Sequence, residues 1–204
     1  MEINNFDLIK SHLHFNSEDD FYFLQILQRP KDGNNIRGNN KNRLVKYYII
    51  RSEDSFKKYE KEIIDLCQLF NARAYIHPTK RSFKEVAKIH IKNIIDTYTS
   101  ENYISLGKEY TSACGQSWVS EDKKFVLDID TPYSLELELL LSELLKNCNP
   151  VGKNKIVYRV PTLNGFHLIC TPFDTYKFCQ DLIINKLNID IHKNNPTLLY
   201  YFKV

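Results

Sequence analysis

The chain has 204 residues, enough for one globular domain or two small modules sharing a core and too few for a further large domain. An apolar fraction of 43%, an aromatic fraction of 13% and a charged fraction of 26% exclude a disordered or collagen-like chain. The net charge of +3 hides a polarity: residues 29–92 hold 16 Lys or Arg against 7 Asp or Glu, so that stretch is basic and the remainder is net acidic. A basic half neutralises phosphates by counterion release, which makes a nucleic acid or a nucleotide the expected partner.

No run of about 18 apolar residues occurs, and the start, MEINNFD, has neither the basic nor the apolar region of a secretion signal. The expected location is therefore intracellular, with no membrane contact. Cys67, Cys114, Cys148, Cys170 and Cys179 are scattered without a C-x-x-C pair, as expected of small core hydrophobes in a reducing compartment.

Residues 4–14 read as a short helix and 21–28 (FYFLQILQ) as a strand rich in aromatic and β-branched side chains. Residues 29–42 hold Pro30, Gly33, Gly38 and five Asn, the composition of a loop; Arg37, Lys41 and Arg43 in and beside it are candidates for template contact. Residues 43–51 (RLVKYYIIR) are a second strand. Ser52 then caps a helix reaching about Phe70, with Glu53 and Asp54 favoured by the positive end of its dipole. Residues 72–77 (ARAYIH) form a strand stopped by Pro78, and Ser82 with Glu85 three places on is a capping box opening a helix to about Tyr98. Between 100 and 122 the pattern loses period, which predicts a long connection with a module boundary inside it and modules at 1–110 and 120–204. Tyr75, Tyr98, Tyr110 and Trp118 are the aromatics available to stack on bases.

From 123 the order is strand (123–130), Leu-rich helix (132–147), strand (155–160), strand (165–170), helix (173–186) and one or two final strands (189–202). Thr131-Pro132 and Thr171-Pro172 predict matching helix starts, a hydroxyl cap before a first-turn proline. The fold class is mixed α/β of the α+β kind: an N-terminal αβ module followed by a C-terminal ferredoxin-like β-α-β-β-α-β module with both helices on one face of its sheet.

Period-two alternation in FVLDID sets Phe125, Leu127 and Ile129 on one face and Val126, Asp128 and Asp130 on the other. The apolar set must meet the helices, so the two aspartates are expected on an uncovered face about 7 Å apart between Cα atoms. Carboxylates this close repel unless a cation lies between them, and hard divalent ions such as Mg²⁺ or Mn²⁺ are the natural partners of an oxygen pair. In a split β-α-β sheet the first and third strands are neighbours, which brings His167 of NGFHLIC beside the pair. It is a candidate to hydrogen-bond a phosphate or steer a metal-bound water. Asp190, on the fourth strand, is the candidate third acid; Asp174 competes, although the unpaired amides of a helix start explain it adequately.

The strand Val126-Leu127-Asp128-Ile129-Asp130, the later Gly165-Phe166-His167 and an acid on a following strand resemble the archaeo-eukaryotic primase superfamily, over about residues 72–204, in the order found in compact primase-polymerases of plasmids, phages and other mobile elements. The resemblance implies an N-terminal αβ module packed against an RRM-like C-terminal module with a catalytic cleft between them, and two divalent metals, Mg²⁺ or Mn²⁺, held by Asp128, Asp130 and Asp190. It also implies that His167 contacts the incoming nucleotide. Where the family commonly has a small hydroxyl residue two before the histidine, this chain has Gly165. The expected activity is primer synthesis or extension from NTPs or dNTPs on single-stranded DNA, with a replicative helicase or an accessory subunit as further partners.

Beside that reading, Pro78-Thr79-Lys80-Arg81-Ser82 leads into a helix N-terminus, a ready site for an anion. Lys80 and Arg81, with Arg73 and Lys84, are the cations expected to meet the triphosphate or the template backbone. The alternative functions are a non-catalytic RRM-like RNA-binding module, which would stack bases on exposed aromatics, and a decayed primase acting as a scaffold.

Overall fold

The computed structural model describes residues 1–34 and 41–203 of the chain. Arg37, one of the loop cations considered for template contact, lies outside the described residues. The chain divides into two compact units, one made of residues 1–123 with 199–204 and the other of 124–198.

The first unit is built on a sheet of β1 (Glu2–Asn4), β2 (Asp20–Gln28), β3 (Arg43–Ile50), β4 (Arg73–Ile76) and the far end of β10 (Thr197–Phe202), in the order β1-β10-β4-β2-β3, with β5 (Arg81–Ser82) paired to the start of β2. β2 is antiparallel to β3, β4 and β5, and β1 to β10. The sequence DFYFLQILQ explains why β2 is central: both of its side-chain sets are apolar. Tyr22, Leu24 and Ile26 join a core with Phe6 and Ile9 of α1 (Phe6–Lys10) and Phe56, Ile63 and Cys67 of α2 (Glu53–Leu69). Phe21 and Phe23 join a second core with Val86 of α3 (Phe83–Thr99) and with Ala113 and Cys114 of α4 (Leu106–Gln116). Helices thus cover both faces of this sheet.

Ser52 caps α2 by accepting the amide of Ser55, and Ser82 caps α3 by accepting that of Glu85. The stretch 100–122, expected as a connection, instead holds α4. Its period is masked by Gly107, Gly115 and short polar residues, and its buried contacts come from the small side chains Ala113 and Cys114.

The second unit has the element order β6 (Phe125–Ile129), α5 (Leu135–Lys146), β7 (Ile156–Pro161), β8 (Phe166–Cys170), α6 (Thr175–Ile184) and β9 (Asp190–His192). Its antiparallel sheet runs β7-β8-β6-β9. Phe125, Leu127 and Ile129 of β6 and Phe166, Leu168 and Cys170 of β8 pack with Leu141 and Leu145 of α5 and Phe178 and Leu182 of α6, so both helices share one face. They begin later than the Thr-Pro pairs predict. Ser134 accepts the amide of Leu137, and Asp174 those of Tyr176 and Lys177. The prolines instead lie in the extended lead-ins, ahead of the residues whose side chains reach those amides.

The C-terminal run also differs from expectation. It forms two strands in different sheets: β9 pairs with β6, while β10 pairs with β1, so the second unit ends at Leu198 rather than at the C-terminus. Four cysteines are buried, Cys179 is exposed, and all are free. Among the described residues, no helix is long and apolar enough to cross a membrane.

Candidate active site

The antiparallel register of the second sheet sets its charged residues in one row. Asp128 of β6 lies directly opposite His167 of β8 on one side and Asp190 of β9 on the other. His167 Nε2 is 3.2 Å from Asp128 Oδ1, and His167 Nδ1 is 2.8 Å from the hydroxyl of Thr197. Both ring nitrogens are therefore held by the protein, the imidazole bridging a buried hydroxyl and a carboxylate. Burial falls along the row. His167 is 9% exposed, the Asp128 side chain is one third exposed, and Asp190 is exposed.

This face of the sheet is not uncovered, as the sequence reading expected. Val126, Val160 and Ile169 share it and are buried, because β6, β7 and β8 carry apolar residues on this face as well as on the helix face. The acids lie at the margin of a buried surface. Asp130 stands one residue beyond the end of β6 and is exposed, outside the ladder that aligns Asp128. Asp174, the rival third acid, is engaged at the N-terminus of α6 by two backbone amides.

Gly165 explains the glycine in the N-G-F-H segment. A Cβ there would lie 1.9 Å from the carbonyl oxygen of Ile129 and 2.8 Å from that of Thr131, so the start of β8 is pressed onto the backbone that flanks Asp130. Only glycine permits that approach. Gly165 thus couples the histidine strand to the end of the D-x-D strand, and a hydroxyl side chain would not fit there.

Two like charges directly opposite in an antiparallel ladder destabilise it. Asp128 and Asp190 are such a pair, and hard oxygen donors of this kind suit Mg²⁺ or Mn²⁺. Carboxylate oxygens are the donor type such a cation takes, and Asp130 is the exposed carboxylate next along the chain. As the side chains stand, no group of three or more His, Cys, Asp or Glu among the described residues is gathered closely enough to hold a metal ion.

The expected phosphate-binding cations of the first unit are arranged otherwise. Lys80 is buried and its ammonium meets Asp20 Oδ2 at 3.0 Å. Burial alone would raise the Asp20 pKa, but the hydrogen bond and charge of Lys80, with the amides of Asn16 and Ser17, outweigh it and hold the carboxyl below its usual range. Arg81 is fully buried, its guanidinium hydrogen-bonded to His77 Nδ1, and burial pulls it down to about 9. Burial, with Arg81 adding, keeps His77 well below the ordinary histidine value. Arg73 is clamped by both carboxylate oxygens of Asp32 and lies over the ring of Tyr201, 4.3 Å from its centroid.

Lys84 is exposed, but the α3 N-terminus it adjoins already holds an anion from the chain itself. Asp19 accepts the amide of Lys84 and the hydroxyl of Ser82, and its backbone carbonyl accepts the amide of Phe83. The anion cradle read from the sequence is thus occupied. The adjoining cleft of 570 Å³ is lined by Asp19, Asp20, Glu85, Glu121 and Trp118, which makes it acidic. Lys80, Arg81 and Arg73 are thus engaged within the chain, whereas Lys84 and other cations of the basic stretch, such as Lys57, Lys58 and Lys61, remain exposed.

Of the aromatics, Tyr75 accepts a hydrogen bond from Arg29 and Tyr110 packs near Tyr47 and His90, whereas Trp118 and Tyr98 are exposed. Sequence reasoning missed Thr197. Nothing local marks a threonine in NNPTLLYYF as the partner of a histidine 30 residues earlier. No protein-family model, curated protein or solved structure matches the chain.

Proposed function

We propose that the chain is a template-directed nucleotidyltransferase, the core of a primase or primase-polymerase that joins NTPs or dNTPs on single-stranded DNA. The observation that carries this reading is the row Asp190-Asp128-His167 across three neighbouring strands, with Asp130 just beyond. The order β7-β8-β6-β9 with both helices on one face is that of an RRM-like module, and it supports the resemblance to primases that the motif residues raised.

In this reading Asp128, Asp130 and Asp190 hold Mg²⁺ or Mn²⁺. Bound there, the cations would make the attacking 3′-hydroxyl more acidic and offset the charge on the leaving pyrophosphate. The chain's own residues do the positioning. Gly165 lets β8 close onto the end of β6, which keeps the histidine and the aspartates in one register. Thr197 fixes the orientation of the imidazole through Nδ1, and Nε2, which meets Asp128, is the atom that would turn to a phosphate oxygen of the nucleotide. Stacking aromatics are what an RNA-binding sheet would need here, whereas β6 and β8 present Val126, Asp128, His167 and Ile169 to this face, with Tyr158 of the outer strand β7 the aromatic beside them.

The test is incorporation of a labelled nucleotide on a single-stranded template with Mg²⁺ or Mn²⁺. Asp128→Asn and Asp130→Asn are each expected to lower the rate at least about a hundredfold. Equal incorporation by wild type and variants would remove these residues from the chemistry.

A further inference from the structure

α3 is amphipathic in an unusual sense. Its inner face, with Val86 and Ile89, packs into the second core of the first unit. Its outer face repeats at helical spacing and is also apolar: Ile91 is 60%, Ile95 55% and Tyr98 70% exposed, with Ile94 beside them. The surface continues into Ile104, 94% exposed in the turn before α4, and Leu106 at the start of α4. An exposed apolar surface of this extent on a folded protein marks an interface.

Charge says what covers it. Lys84 and Lys88 occupy the N-terminal half of α3 and Lys92 lies just past its midpoint, whereas Asp96 is near its C-terminal end and Glu101 follows the cap. Glu85 apart, this order opposes the helix dipole, which favours acids at the start and bases at the end. A second α3 running antiparallel would reverse both faults, because its dipole opposes the first and its acidic end lies beside the basic end.

We propose that the outer face of α3 is the contact through which two copies of this chain form a twofold dimer. Ile91 of one copy meets Ile95 of the other about the midpoint of the helix. Lys84 reaches toward Glu101 of the second copy, and Lys88 toward its Tyr98 ring, each contact made twice by symmetry. The exposed face of α5 does not qualify. It presents Leu135 and Leu139, but Glu138 and Glu143 already meet Arg159 and Lys146 of the same chain and its acids lie toward its start and its lysine at its end, so it lacks the charge order that singles out α3.

The inference is independent of the polymerase reading and is tested on the full chain by sedimentation equilibrium over a range of concentrations. The expected result is a monomer–dimer equilibrium whose Kd rises at least about tenfold in Ile91→Glu and in Ile95→Glu. Unchanged circular dichroism would show that these exposed substitutions leave the fold intact. Lys84→Glu should weaken the dimer, and adding Glu101→Lys to it should restore association. A strictly monomeric wild type would overturn the proposal, as would a dimer indifferent to Ile91 and Ile95 or one broken instead by Leu139→Glu. Mass growing beyond the dimer would also refute it, since that is the sign of a head-to-tail contact between unlike faces.

Discussion

The two sheets treat charge in opposite ways. In the first unit three cations near the sheet are drawn inward: Lys80 and Arg73 meet the carboxylates of Asp20 and Asp32, and Arg81 hydrogen-bonds to His77. In the second, like charges are set side by side, Asp128 directly opposite Asp190, and left partly or wholly exposed at the margin of a buried face. Opposite charges are what a fold needs to tolerate burial, whereas like charges set directly opposite in a ladder cost stability. The contrast shows that a cation's place in a basic stretch does not say whether it faces solvent, since Lys80 and Arg81 are buried and Lys84 is exposed. Part of the basic stretch serves structure, and the acidic strand is where chemistry is proposed.

The comparison can be broken at its strongest point first. Asp20→Ala leaves the buried ammonium of Lys80 without its carboxylate, and urea unfolding should show a loss of about 3–5 kcal/mol. Because the Asp20 pKa is lowered in the fold, its contribution is present above about pH 4 and lost as the pH falls through the folded value. Asp20→Ala should flatten the acid limb in that window. A loss below about 1 kcal/mol would mean that the pair is not a structural charge in the sense argued here.

Gly165→Ala comes next. The added methyl meets backbone rather than a mobile side chain, so a loss of about 3 kcal/mol is expected, along with displacement of His167 from Asp128 visible in the histidine NMR spectrum. Unchanged stability and an unchanged spectrum would show that the close approach of β8 is not obligatory.

His77 sharpens the picture at mild acidity. Its folded pKa lies well below the ordinary value near 6.5, so below about pH 6.5 the unfolded chain takes up a proton that the folded chain refuses. Stability should fall with decreasing pH by up to about 1.4 kcal/mol per unit. His77→Gln, which keeps an acceptor for Arg81, should remove that slope, and an identical slope in the variant would assign it elsewhere.

The smallest effect has the opposite sign. Asp190→Asn relieves the repulsion across the ladder and should stabilise the metal-free protein by about 0.5 kcal/mol while lowering nucleotide incorporation. Destabilisation would mean that the acidic row is not a strained arrangement at all.

Much of this architecture is legible in the sequence, for physical reasons that differ by region. FYFLQILQ and FVLDID announce strands because their side chains alternate or saturate with apolar residues, and the β-α-β-β-α-β order brings His167 and Asp190 beside Asp128 by topology. The burial of Lys80 and Arg81 is not legible, since their partners Asp20 and His77 are set by tertiary pairing and the local pattern PTKRS resembles any solvated helix start. The helix α4 escapes notice because small side chains fill its contacts, and the apolar run TLLYYF carries no mark of the sheet it joins.

That last strand bears on how the molecule is made. β10 sits between β1 and β4, so the sheet that contains Glu2–Asn4 cannot be completed until residues 197–202 have left the ribosome. The later-encoded unit, self-contained from 124 to 198, can close while the earlier one still waits for its missing strand. Synthesis and completion therefore run in opposite order along this chain, and removing residues 199–204 would withdraw an interior strand from the part of the protein that is translated first.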